Sequence, residues 1–146
     1  MSASPQTALP ERLRQVGERL GRREAEHGEA LAAARRQAEV LRARVAEALE
    51  AFHRAAEAAG APHLRVELGP VRTDDKHLRA VQFDLGRGRH RAIVTVKSRG
   101  EVTLVGPFRA GKVEGPCLSF PADSEGEIET ALGGFLERFL EEAATP

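Results

Sequence analysis

The chain has 146 residues, 41% of them hydrophobic and 30% charged, with a formal net charge of zero and a single cysteine, Cys117. That is the apolar matter of one domain, or of one domain with an extension, and a single cysteine excludes an intrachain disulfide framework. No run of about eighteen apolar residues exists, which excludes a transmembrane helix, and the N-terminus has no basic stretch followed by an apolar one, so no signal peptide is expected. The expectation is a soluble cytoplasmic protein. Arginine outnumbers lysine nineteen to three and asparagine is absent, a bias we read as that of a GC-rich bacterial genome.

The charges are unevenly laid out. Residues 63–112 carry eleven basic and five acidic groups, whereas residues 113–146 carry one basic and eight acidic. A basic middle before an acidic tail either neutralises itself in the fold or presents opposite faces to different partners.

Residues 1–8 are small and polar and are expected to be disordered. A long amphipathic helix is predicted over 9–60, starting near Thr7 to Leu9 with Pro10 in its first turn. Leu13, Val16 and Leu20 follow one another at spacings of 3 and 4. The register then slips at Arg23, Glu24 and His27, and either a stutter or a break near His27-Gly28 is expected, a continuous or kinked rod being favoured because no turn cluster intervenes. From Leu31 the apolar seam is unbroken: Leu31, Ala34, Ala38, Leu41, Val45, Ala48, Phe52, Ala55 and Ala59 recur at 3 and 4, the a/d pattern of a coiled coil. Val40 and Leu49 widen the stripe, so roughly 40–59 is expected to pack on the domain while 10–35 reaches outward. Gly60 and Pro62 end the helix.

Residues 61–146 read as an antiparallel sheet plus a helix. Period-two alternation marks strands around Leu64–Leu68, Val81–Leu85, Ala92–Val96, Val102–Leu104 and Leu118–Phe120, with one polar face. Gly86-Arg87-Gly88 and Ser98-Arg99-Gly100 join the middle strands as hairpins; residues 70–76 and 106–116 are predicted loops. Ser124 and Glu127 form a capping box for a last helix, whose Ile128, Leu132, Phe135 and Phe139 make one buried stripe. Gly133-Gly134 inside it is expected to permit close approach to a strand. The fold class is therefore α+β: a long coiled-coil-like N-terminal helix, an antiparallel meander of about five strands, and a C-terminal helix on one sheet face.

Motifs with chemistry are few. Gly106 to Val113, GPFRAGKV, matches a phosphate loop in part, but Val113 stands where a hydroxyl is needed and no helix follows. Asp74-Asp75-Lys76-His77 reads as a turn, with no second cluster at metal-ligand spacing. Cys117 lacks a nearby histidine or cysteine and is expected to pack in its strand. No catalytic residue, metal or cofactor is expected, and the protein is read as non-enzymatic. Two functional expectations remain. The first is a protein-interaction module (adaptor, scaffold or chaperone-like) that self-associates, most simply as a homodimer, through Leu31, Ala38, Leu41, Val45 and Phe52. The alternative is a nucleic-acid-binding protein whose Arg87, Arg89, Arg91, Lys97 and Arg99 contact phosphates, although that face lacks aromatic stacking residues.

Overall fold

A computed structural model describes residues 5–74, 79–111 and 115–144. Helix α1 spans Pro5–Ala58 without a break. Six strands follow: β1 Glu67–Leu68, β2 Arg72–Thr73, β3 Ala80–Arg87, β4 His90–Lys97, β5 Glu101–Arg109 and β6 Cys117–Pro121; helix α2, Glu125–Ala144, closes the chain. The sheet is antiparallel, in the order β1-β3-β4-β5-β6, with β2 pairing β3 beside β1. This is the expected α+β architecture, with β2 added inside the segment predicted as a loop.

Both helices lie on one face of the sheet, α1 over β3 and β4, α2 over β4 and β5. Alternation decides which residues they cover. Val81, Phe83 and Leu85 of β3, Ala92, Val94 and Val96 of β4, and Val102 and Leu104 of β5 point toward the helices and are buried. From above, α1 contributes Ala34, Ala38, Leu41, Val45 and Leu49, and α2 contributes Ile128, Leu132, Phe135, Leu136, Phe139 and Ala143; all belong to one core. The helix of residues 31–53 is thus as much part of the globular half as the strands are.

Several local expectations are corrected. Pro10 sits inside α1, not in its first turn, because the helix already runs from Pro5; residues 1–4 of the expected disordered segment lie outside the described residues. The rod is continuous through His27-Gly28, as favoured from the absence of a turn cluster there. The packed stretch begins near residue 31, earlier than residue 40, and the outward reach ends correspondingly sooner. The first predicted strand shrinks to Glu67–Leu68. At the other end, β5 runs on through Gly106-Pro107 into the predicted loop. There Arg91 pairs with Phe108 and Ile93 with Val105, so two residues of β5 oppose Ala92, a bulge. Gly106 has φ of 110°, and a Cβ there would meet the Arg91 carbonyl oxygen at 3.0 Å, so the bulge requires glycine. Gly133 and Gly134, in contrast, face open space; they approach no strand.

His53 closes the core at the C-terminal end of α1. Its Nε2 accepts the Val66 backbone N–H at 3.0 Å, which fixes the return connection alongside the helix. Burial pushes its imidazole below the usual histidine value, nearby Arg65 adds to this, and Glu50 opposes it. A folded pKa below the unfolded one means that protonation favours the unfolded chain. The stabilisation from neutral His53 is therefore complete above about pH 6.5 and is lost as pH falls from there through the depressed folded value. Urea midpoints at pH 7 and pH 5 check this. The drop expected in the wild type is larger than that in His53→Gln, which keeps an acceptor but does not titrate.

Candidate interaction surfaces

The N-terminal arm is the most exposed apolar feature. Residues 9–26 of α1 are exposed apart from half-buried Val16. At 1.5 Å per residue they carry the helix about 27 Å past the sheet. Leu9, Leu13 and Leu20 are 55%, 61% and 49% exposed, and with Val16 they form one stripe at spacings of 4, 3 and 4. Around it the arm is polar: Arg14 is held between Glu11 and Glu18, and Arg22 reaches Glu18. Single exposed leucines are ordinary; a row on an isolated helix needs a cover, because such a helix gains stability chiefly by packing its apolar face.

The residues expected to self-associate are placed elsewhere. Ala38, Leu41 and Val45 are buried against the chain's own sheet, Leu31 packs partly against the same core, and Phe52 is half-buried with its ring tilted at 59° to that of His53. The a/d spacing identified a packed stripe, but from 31 to 45 the packing partner is intramolecular. Farther along, burial moves to Leu49 and His53, while Ala48, Ala55 and Ala59 are exposed.

The five candidate phosphate contacts do not form one stripe. Arg87, Arg89 and Arg91 lie around the β3–β4 turn; Lys97 and Arg99 lie at the opposite end of β4, about 20 Å away at 3.3 Å per residue. Most are engaged within the chain. Arg87 Nη1 donates to the Ala143 carbonyl at 2.7 Å, at the C-terminal end of α2. Arg91 Nη1 donates to the carbonyls of Gly88 and His90, both at 2.8 Å, and lies over Gly86. Lys97 Nζ and Arg99 Nη2 meet Glu101 Oε1 at 2.9 and 3.3 Å. The Lys97 hydrogen bond, followed by that from Arg99, holds the Glu101 carboxyl below the usual carboxylate range. Arg89 stands exposed at the turn.

The sheet face away from the helices is open and largely polar. Gln82, Thr95, Thr103 and Ser119 share a cross-strand row, in which the Thr103 and Ser119 hydroxyls are 3.0 Å apart. Cys117 is in β6 but exposed, not packed. Open clefts flank α1 among the described residues. One, about 410 Å³, is walled by His27, Asp74, Arg79, Lys97 and Arg99 where the arm leaves the sheet. Another, about 390 Å³, runs between the helices beside exposed Val40, where Arg44 pairs with Glu129. Among the described residues no three His, Cys, Asp or Glu side chains gather as metal ligands. Of the Asp74–His77 run only Asp74 is described, and Lys112 and Val113 of the partial phosphate-loop match also lie outside the described residues. Among the described residues no helix is long and apolar enough to cross a membrane. No protein-family model matches the chain, and no curated protein and no solved structure is significantly similar to it.

Proposed function

We propose that the protein is a non-enzymatic interaction module that self-associates through its N-terminal helix and leaves the open sheet face for a further protein partner. The observation that carries this reading is the stripe of Leu9, Leu13, Val16 and Leu20, on a helix that its own fold leaves uncovered. The contact belongs to this arm and not to the seam from Leu31 to Val45, which the chain's own sheet occupies. Nucleic-acid binding has less support, since the basic side chains are split between two ends of the sheet and mostly engaged by carbonyls or Glu101.

Sedimentation or light scattering of the full chain tests the proposal. The wild type is expected to show a dimer at micromolar concentration, and Leu13→Glu combined with Leu20→Glu to be monomeric with unchanged circular dichroism, because both side chains are exposed in the single chain. A wild type that stays monomeric, or a double variant that keeps the wild-type mass, overturns it. Shortening the chain to the sheet and α2 is not a substitute, since Ala34 to Leu49 are core.

A further inference from the structure

The direction in which the arm's stripe faces dictates how two copies meet, and this inference rests on the self-association proposed above. In an unbroken helix each residue turns the side chain by about 100°. Relative to Leu9, the directions of Leu13, Val16 and Leu20 fall within an arc of about 60°. Carried along the same rod, the core residues Ala34, Ala38, Leu41, Val45 and Leu49 fall within about 80°, centred within about 10° of the arm's stripe. The helix has no interruption between the two groups. The bare stripe and the packed stripe therefore face the same side of one rod: the arm overhangs the sheet with its leucines turned toward the side on which the body sits.

We infer that two copies pair their arms antiparallel. A parallel, in-register pair would carry the partner's helix alongside residues 31–53, where the chain's own sheet already lies. An antiparallel pair avoids this: in the register below, Pro5, the first described residue of α1, stands opposite residue 24 of the partner, short of the packed stretch that begins near residue 31. The stripe suits such a pairing. Its spacings of 4, 3 and 4 are the same read in either direction, so a second copy run backward presents a matching row. The register that pairs all four residues sets Leu9 against the partner's Leu20 and Leu13 against the partner's Val16, with the two-fold axis between Leu13 and Val16. The two bodies then lie at opposite ends of the paired arms. A self-complementary surface of this kind is what a two-fold dimer requires. The contact is shorter than a typical interface of ~800 Å² per partner, so the dimer is reversible and its population shifts with concentration.

The same register gives the flanks a charge signature. Arg12 comes within two residues, about 3 Å along the axis, of the partner's Arg19. Neither arginine makes an ion pair among the described residues. Like charges beside an apolar seam are screened by salt, so the dimer should tighten as salt is added, opposite to a contact held by ion pairs.

Cross-linking distinguishes the arrangements. In a Cys117→Ser background, Arg12→Cys and Arg19→Cys chains are prepared separately and mixed, then treated with a short bis-maleimide. The expected result is a covalent dimer in the mixture and in Arg12→Cys alone, whose two copies stand five residues or about 7.5 Å apart along the axis, and little in Arg19→Cys alone, whose copies stand nine residues or about 13.5 Å apart. Cross-linking of Arg19→Cys alone as efficient as that of the mixture means a parallel pair and overturns the inference while leaving self-association standing. So does a dimeric mass with no cross-link in any sample. A monomeric mass throughout, in the uncross-linked wild type as well, overturns self-association itself. Raising salt from about 50 to about 500 mM should strengthen the wild-type dimer about threefold; weakening over that range overturns the Arg12–Arg19 register.

Discussion

Val45→Asp is expected to destabilise the fold severely at neutral pH, while Leu13→Asp leaves the monomer's fold unchanged. Both positions are apolar members of one helix, and both read as seam residues in the sequence. Val45 is 0% exposed, in the core that α1 shares with β3 and β4. A carboxylate there loses its hydration, and Asp either stays charged at high cost or neutralises by raising its pKa. The expected loss is about 4 kcal/mol or more, in the exceptional range for a single substitution and a large share of the 5–15 kcal/mol that holds an ordinary domain together. The raised pKa gives the loss a sign with pH: it is greatest above the raised folded value and smaller near pH 4, where the buried carboxyl is protonated and the unfolded one is about half protonated. Leu13 is 61% exposed, so the same change there should shift monomer stability by no more than about 0.5 kcal/mol. Urea titrations at pH 7 and pH 4 check both. Equal losses at the two positions would contradict the division of α1 into arm and core.

Phe139→Ala is expected to cost about 3–5 kcal/mol. Phe139 is fully buried on the inner stripe of α2, above β4 and β5. Truncation removes the ring's transfer free energy and leaves a cavity that a sheet and two helices cannot close. For a domain of this length the loss corresponds to a fall in Tm of roughly 10–15 °C. Glu137 and Arg138, its exposed neighbours in sequence, serve as controls: alanine at either should move Tm by less than about 2 °C. A small effect at Phe139 would mean that α2 is not seated on the sheet.

How much was legible in the residues follows from where each signal originates. Alternation in β3, β4 and β5 identified the strands and their inward residues, because a strand with one covered face alternates whatever covers it. The stripe on α2 was equally plain. Its glycines were misread: Gly133 and Gly134 lie on the solvent side of that helix, and glycine in a sequence does not say what stands beside it. β2 was missed because two residues, Arg72 and Thr73, are too short to show a period. The arginines looked like a basic stripe only because they are near one another in the chain; carbonyls at the end of α2 and at the β3–β4 turn take up two of them.

The long helix shows the division most clearly. Composition and periodicity by themselves established that it exists, that it is amphipathic, and that its apolar surface exceeds what a small sheet hides. Those are properties of residue order along one rod. Which part of the apolar row is hidden was settled by the tertiary structure alone. The sheet lies under residues 31–53, and the return connection through Val66 extends burial to His53 instead of Ala55. A 3-and-4 spacing is met equally by a sheet, a second helix or water, so only the placement of the strands separates the stripe that builds the core from the stripe still exposed at Leu9, Leu13 and Leu20.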